Sequence, residues 1–238
     1  MTAVASAQRV DIVVPIYNAP DDVRRCVDSV IARTPEPHRL ILIDDGSTDD
    51  GVREVLTEIE QRADDHFVIL RNERNFGFTA TANRGMSQSS ADVVLLNSDT
   101  IVTDGWLSAL IRCAASDAMI ATVTPFSNNA EICSFPTFCE DNRWSLDADT
   151  TIVARALAEA AVPSCPDLPT GVGFCMFIRR KAIDALGMFD MAFGAGYGEE
   201  NDFCLRAVRA GYRNVLADDA YVRHTGGRSF EGRKSELG

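Results

Sequence analysis

The sequence lacks several features that define common functional classes. No apolar run approaches the roughly 20 residues that a membrane-spanning helix needs, and a net charge of −12 leaves no basic footprint for a nucleic-acid partner. The start of the chain, "MTAVASAQRV", has no charged segment followed by an apolar one, so we predict no signal peptide and a cytoplasmic protein. With 238 residues, 46% of them hydrophobic, the chain is long enough for one large α/β domain.

Cysteine and glycine motifs of other site types are missing as well. The seven cysteines are an odd number and include no C-x-x-C pair, so neither a zinc site nor a disulfide framework is favoured. We expect most of them to be small core residues in a reducing compartment, with Cys133 and Cys139 the most exposed. "GVGFCM" and "GAGYGE" do not follow strands as a dinucleotide fingerprint does, and no P-loop occurs.

Apolar runs and amphipathic segments alternate over the first half of the chain. Strands are predicted at 10–17, 40–43, 67–70, 92–96 and 119–125, with helices between them. This alternation is typical of a doubly wound, mostly parallel sheet, in which ligands bind outside the carboxyl ends of the strands.

The second half of the chain has a different pattern. Residues 126–170 are polar apart from one helical run, which predicts a long surface excursion, and such loops are usually functional. A strand at 173–180, a helix at 198–211 and a short strand pair ending at His224 are expected to follow. We therefore expect one α/β domain whose second half folds back onto the first.

Carboxylates occur where predicted strands end. Asp44 and Asp45 follow the second strand, and Asp99 follows the fourth, in the stretch "NSDT". Acids gathered at one sheet edge repel one another unless a cation or a ligand compensates. Oxygen ligands favour Mg²⁺ or Mn²⁺, and the imidazole of His224 could complete a manganese site. The simpler interpretation, in which the acids cap helices and the histidine lies at the surface, stays open from these residues alone.

"GEENDFCLR" is the second polar cluster. Glu199 and Glu200 open a predicted helix, where the helix dipole favours anions, and Asp202 and Arg206 have the spacing of a helix-surface ion pair. The glycine-rich "GAGYG" before it would allow close approach of the backbone to a substrate. A carboxylate here could act as a general base toward a hydroxyl, although helix capping also explains it.

Six stretches, in this order, resemble the motifs of family 2 glycosyltransferases, which are inverting enzymes with a GT-A fold that use nucleotide sugars. They are "DIVVPIYNAPDDVRRCVDSVIART", "LILIDDGSTDDG", "NFGFTATANRG", "LLNSDTIV", "GEENDFCLR" and "VRHTGG". The resemblance runs from about residue 9 to residue 230. It implies a single domain over 1–238, with a nucleotide-binding half at 9–125 and a half at 126–230 for the acceptor and catalytic base. The chain could also be a module of a longer protein.

The resemblance implies a role for each matched residue. Nucleotide or donor contacts are implied for Pro15, Ile16, Tyr17, Asn18, Asp44, Asp45, Asn83, Arg84, Asn97 and Ser98. Asp99 and His224 would hold Mn²⁺ or Mg²⁺ against the donor diphosphate. Glu200 would be the general base. Glu199 and Asp202 would support it or contact the acceptor.

The sequence departs from the family pattern at two places. Asn97 stands where the first Asp of an Asp-x-Asp motif is common, and Thr81-Ala82-Asn83 replaces an Ala-Arg-Asn segment. The "N-x-D-T" form resembles a subgroup with many rhamnosyltransferases of cell-surface polysaccharide synthesis, such as that of O-antigen. A dTDP-sugar and a UDP-sugar both stay open as donors for such a hexosyltransferase-type enzyme. The implied acceptor is a glycan or lipid-linked glycan, and association with the inner face of the plasma membrane would need regions outside this chain.

Two other functions stay open at this point. A catalytically inactive nucleotide- or glycan-binding module of the same fold is favoured by Asn97 and disfavoured by Glu200 and His224. A sugar-phosphate nucleotidyltransferase would need a glycine-rich, basic loop after the first strand, and "PIYNAPDD" is neither.

Overall fold

The computed structural model describes residues 9–62, 66–142, 150–194 and 196–226. The helices are α1 (Pro20–Arg33), α2 (Asp50–Arg62), α3 (Phe78–Ser87), α4 (Trp106–Ser116), α5 (Thr150–Ala160), α6 (Arg180–Leu186) and α7 (Glu199–Arg209). The strands are β1 (Val10–Ile16), β2 (His38–Asp44), β3 (Phe67–Arg71), β4 (Asp92–Leu96), β5 (Thr100–Val102), β6 (Ile120–Phe126), β7 (Asp167–Leu168), β8 (Cys175–Ile178) and β9 (Arg213–His224). Across these ranges, every helix is too short or too polar to cross a membrane.

One mixed sheet runs through the structure in the order β3-β2-β1-β4-β8-β6-β9-β5, with β7 paired to β9. The first four strands are parallel, β8 is antiparallel to both β4 and β6, and β6 is parallel to β9. The predicted α/β architecture is confirmed. The carboxyl ends of β1, β2, β4, β6 and β9 therefore meet the amino end of β8 along one edge, which we call the carboxyl edge.

Both faces of the sheet are buried, which explains why its strands are continuous apolar runs. Since side chains alternate along a strand, Ile12 joins one core cluster and Val13 joins the other. Amphipathic helices cover each face. Helix α3 lies so close to the sheet that a Cβ on Gly85 would lie 2.2 Å from Cγ1 of Val13, so this position requires glycine.

The prediction of a short strand pair ending at His224 is wrong, because Arg213–His224 is one long strand. Its register with β6 shifts between Pro125 and Phe126. Beyond this irregularity β9 also pairs with β5, a three-residue strand that the sequence pattern did not predict.

Two expectations about cysteines are also corrected. Cys133 is buried, because a short 3₁₀ turn folds its segment back so that Ser127 N–H donates to the Cys133 carbonyl; Cys139 is exposed as predicted. Cys113 and Cys165 are paired as a disulfide, which the odd cysteine count did not favour. The pairing of β7 with β9 brings the second of these cysteines beside α4.

Candidate active site

The loops after β1 and β2 are joined by one asparagine. Of the residues predicted to contact the donor, Pro15, Ile16, Tyr17 and Asn18 lie at the end of β1, and Asp44 and Asp45 lie at the end of β2. Asn18 Oδ1 accepts hydrogen bonds from the backbone of Thr48 at 2.9 Å and Asp49 at 3.1 Å, and Asn18 N–H donates to Ser47 Oγ at 2.9 Å. These bonds hold the two predicted donor-binding loops together.

Asp44 and Asp45 have different environments. Asp45 is buried, and its carboxylate accepts from Asn72 Nδ2 at 2.6 Å and from the backbone of Phe76 and Gly77 at 2.9 Å. Asp44 accepts one backbone hydrogen bond through Oδ1 at 2.9 Å. Its Oδ2 has no partner in the part of the chain that the structure describes. Neither acid caps the next helix, and Asp44 is the one available to a ligand.

Asn83 and Arg84 make contacts within the protein. Asn83 Nδ2 donates to the Phe189 carbonyl at 2.9 Å, and its Oδ1 accepts from the Phe189 N–H at 3.0 Å. Arg84 donates to the Arg71 carbonyl at 2.8 Å and to Asn72 Oδ1. These side chains hold neighbouring segments, and their contact with a donor stays a prediction.

Asp99 and His224 come together at the carboxyl edge. Thr100, the residue after Asp99, is the cross-strand partner of His224 in the β5–β9 pairing. The two side chains are largely buried, with His224 Nε2 3.3 Å from Asp99 Oδ1. His224 Nδ1 lies 2.7 Å from the Asn129 carbonyl, so Nδ1 carries a proton and Nε2 is the atom presented to Asp99.

The charges of this pair affect each other. Burial lowers the pKa of His224, but the hydrogen bond and the charge of Asp99 outweigh it and raise that pKa. Burial likewise raises the pKa of Asp99, and the contact with His224 outweighs it and lowers that pKa. A proton and a divalent cation would therefore compete for the same two atoms.

The donor set suits a cation that also binds a substrate. Among the described residues, no cluster of three or more His, Cys, Asp or Glu side chains could hold a metal. Mg²⁺ commonly binds through one or two protein ligands together with substrate phosphates. Asp99 and His224 fit that arrangement, with an oxygen and an imidazole nitrogen that manganese also accepts.

An amide clamp fixes the backbone of His224 and was missed by sequence reasoning. The fully buried Asn128 accepts from the His224 N–H at 2.9 Å through Oδ1 and donates to the His224 carbonyl at 2.7 Å through Nδ2. The ring of Phe174 stacks on the imidazole, with centroids 5.4 Å apart. The available signal was the polar run "SNN", which begins two residues after the end of the strand predicted at 119–125.

Asn97 and Ser98 lead from β4 into this site. The Asn97 N–H donates to the Phe174 carbonyl at 2.8 Å, and its carbonyl accepts from Thr100 Oγ1 at 2.7 Å. The side chains of Asn97 and Ser98 have no hydrogen-bond partner within the described ranges. The Asn97 amide is therefore available to a ligand.

Two glutamates at the start of α7 form a carboxylate pair, of which Glu199 is buried and Glu200 is partly exposed. Glu199 is 3% exposed, and Oε2 of Glu199 and Oε2 of Glu200 are both buried without a hydrogen-bond partner among the described residues. Burial, followed by the charge of Glu200 and a hydrogen bond shared with it, raises the pKa of Glu199 to about 7. Glu199 therefore keeps its proton to a higher pH than an ordinary glutamic acid does.

Asp202 supports the helix rather than the pair itself. Its carboxylate accepts from Arg206 Nε at 2.7 Å, as the spacing predicted. Arg206 also donates to the carbonyls of Leu186 at 2.7 Å and Met188 at 2.9 Å. Asp202 thus anchors α7 to the segment that follows α6.

One short segment connects the two charged pairs. Phe174 contacts His224 through its ring and Asn97 through its carbonyl. A Cβ on the neighbouring Gly173 would lie 3.8 Å from Oε1 of Glu200. The antiparallel entry of β8 therefore places residues 173–174 next to both His224 and Glu200.

Curated proteins with related sequences include glycosyltransferases and an O-antigen biosynthesis protein. The O-antigen biosynthesis protein RfbC of Myxococcus xanthus is 34% identical over 93% of this chain and 18% of its own length. The uncharacterized glycosyltransferase YibD of Escherichia coli strain K12 is 30% identical over 47% of this chain and 32% of its own. The chain thus spans less than two thirds of the length of these relatives.

Solved structures share the fold. The crystal structure of GalNAc-T7 with UDP, GalNAc and Mn²⁺ matches with a TM-score of 0.74 and 20% identity, over 92% of this chain and 44% of that one. The mannosyltransferase PcManGT from Pyrobaculum calidifontis, in complex with GDP-Man and Mn²⁺, matches with a TM-score of 0.69 and 16% identity, over 94% and 59%. The fold is therefore that of the GT-A glycosyltransferases. Residues 11–187 match the family described as Glycosyl transferase family 2, and the chain belongs to that family.

Proposed function

We propose that this chain is a metal-dependent, inverting glycosyltransferase. It would move a sugar from a nucleoside-diphosphate sugar to a hydroxyl of a glycan or lipid-linked acceptor in cell-surface polysaccharide synthesis. The observation that carries the proposal is that residues 173–174 lie beside both Glu200 and His224, and that His224 Nε2 lies 3.3 Å from Asp99 Oδ1. The names of the relatives support the pathway class, since RfbC is an O-antigen biosynthesis protein.

The donor nucleotide would bind at the ends of β1 and β2. The unpaired Oδ2 of Asp44 can accept the imide N–H that uracil and thymine share, which suits both a UDP-sugar and a dTDP-sugar. Asp45 would hold the loop at 76–77 in place instead of touching the base. The free amide of Asn97 would contact the donor beside the diphosphate.

The diphosphate would lie at Asp99 and His224. A cation held there would stabilise the negative charge that develops on the leaving nucleoside diphosphate. The Asn129 carbonyl keeps the proton on Nδ1 of His224 and so leaves Nε2 for coordination. Replacing the proton between the two side chains by a cation satisfies both of them without a third protein ligand.

Glu200 would act on the acceptor. Its carboxylate takes the proton of the acceptor hydroxyl while that oxygen attacks the anomeric carbon from the face opposite the leaving diphosphate, so one displacement inverts the configuration. Glu199 has a pKa of about 7, so its carboxyl group can donate a hydrogen bond to Glu200. Glu200 is then the group that takes the proton of the acceptor hydroxyl. A positioned general base contributes about 10²–10⁴-fold to such a rate.

The test is nucleotide-sugar turnover across UDP-, dTDP- and GDP-sugars, with and without Mn²⁺. We expect turnover of at least one donor that is abolished by chelation. Glu200→Gln should lower that rate about 10²–10⁴-fold with unchanged nucleotide binding. Glu54→Gln, an exposed substitution on α2, is the matched control and should change nothing.

Two outcomes would contradict the proposal. Nucleotide binding without turnover of any donor would favour the inactive binding module, the candidate that Asn97 keeps open. Turnover that survives both chelation and Asp99→Asn would remove the metal from the mechanism.

A further inference from the structure

Three large apolar side chains are exposed directly before the carboxylate pair. Met191 is 56% exposed, Phe193 37% and Tyr197 75%. A Cβ on Gly198 would lie 3.1 Å from a ring carbon of Phe193, so this ring packs at the residue that precedes α7. We call the two aromatic side chains, together with the neighbouring Met191, the aromatic rim. The rim borders the helix end that carries Glu199 and Glu200.

The backbone of Tyr197 adopts a conformation that is energetically unfavourable for a residue with a large side chain. Tyr197 has φ 73°, in the left-handed region that bulky residues rarely adopt, between Gly196 at φ 124° and Gly198 at φ 105°. Such conformations persist where surrounding structure imposes them, and they cluster at ligand-binding sites.

Hydrogen bonds to residues 189–192 hold the backbone around Met191 and Phe193 in place. The amide of Asn83 pairs with both backbone groups of Phe189, at 2.9 Å and 3.0 Å. Asp190 Oδ1 accepts from the Ala192 N–H at 2.9 Å. Met191 and Phe193 are therefore displayed by an anchored turn.

Aromatic rings beside a carboxylate match the chemistry of a sugar ring. A pyranose has a face of C–H groups and a rim of hydroxyls, and small-molecule sites combine apolar or aromatic walls with a few polar groups that fix orientation. Glu200 is partly exposed, so its carboxylate can accept from a hydroxyl while the C–H face packs on Tyr197. An anionic membrane surface is a poor partner for a chain with a net charge of −12.

We propose that the aromatic rim is an acceptor subsite that packs against a pyranose ring and directs one hydroxyl at Glu200. This inference rests on the proposed function and adds the residues and the ligand class that select the acceptor. Tyr197 would be its main contact, because it is the most exposed of the three and lies three residues before Glu200.

The probes are methyl and octyl pyranosides of glucose, galactose and rhamnose, with binding followed by saturation-transfer-difference NMR. We expect at least one of them to bind the native chain through its ring protons. Tyr197→Ala should weaken that binding roughly 3- to 10-fold, as expected for loss of an aromatic contact, and Tyr197→Phe should retain it. Met119→Ala, which truncates a 42% exposed side chain at the opposite sheet edge, is the matched control.

Nucleotide binding and acceptor-free donor hydrolysis are measured on the native chain and on Met119→Ala, and should be the same for both. No pyranoside binding to the native chain, or equal binding by the Tyr197→Ala and Met119→Ala variants, overturns the subsite. Saturation transfer to the octyl chain but not to the sugar ring identifies a lipid contact and also overturns it. If the native chain hydrolyses no donor, the proposed function is rejected instead, so the two failures are distinguishable.

Discussion

The burial of Glu199 should make the protein less stable as the pH rises. The folded chain holds a proton on Glu199 up to a pKa of about 7, whereas an unfolded glutamic acid loses it near 4.5. Between these values the unfolded state binds fewer protons, so the free energy of unfolding falls with pH and then levels off above pH 7. At 1.36 kcal/mol for each tenfold change in proton affinity, the loss is about 3 kcal/mol.

Glu199→Gln removes this loss, because a neutral amide can donate to Glu200 without ionising. We expect the variant and the native chain to have similar stability near pH 5. Above pH 7 the variant should be more stable by up to about 3 kcal/mol. Urea denaturation at pH 5, 6, 7 and 8 measures the difference, and Glu54→Gln should stay within about 0.5 kcal/mol of the native chain throughout. A pH-independent difference, or a variant that is less stable at pH 8, would refute a shared, buried proton.

Two further predictions concern the scaffold of the site. Asn128→Ala loses both hydrogen bonds that hold the end of β9, and should weaken Mn²⁺ binding about 10–100-fold by isothermal titration, whereas Asn201→Ala should not. Gly46→Ala would place a Cβ 2.4 Å from the backbone of Arg74, and should destabilise the fold by about 3 kcal/mol in urea denaturation. Gly105 has a similar positive φ and no atom within 4 Å of a built Cβ, so the stability lost in Gly105→Ala measures the cost of the backbone conformation alone. Equal losses of stability in the two variants would contradict a steric clash between residue 46 and Arg74.

The first half of the fold could be predicted because its strands are buried on both faces. Continuous apolar runs between amphipathic helices leave few alternatives, and the predicted β1 to β4 are all present. The short strands Thr100–Val102 and Asp167–Leu168 could not be predicted in this way. Each pairs with β9 far along the chain, so its conformation depends on its partner more than on its own sequence.

The site was predictable at the level of strand ends and not at the level of contacts. Asp99 and His224 could be assigned to one edge from their positions after apolar runs. The difference between Asp44 and Asp45 could not, because it depends on the loop at 72–77, which covers only the second of them. The role of Asn128 likewise depends on the return of β9 beside β6, a pairing over long sequence separation.

The antiparallel direction of β8 places residues 173–174 beside both His224 and Glu200. β8 has four residues and so is about 13 Å long. If it ran parallel to β4, its amino end would lie at the opposite sheet edge, and residues 173–174 would be displaced from the carboxyl edge by about that length. Phe174 would then reach neither His224 nor Asn97, and Gly173 would no longer lie beside Glu200. The mixed sheet therefore supplies the segment that lies beside both the proposed base and the proposed cation ligands.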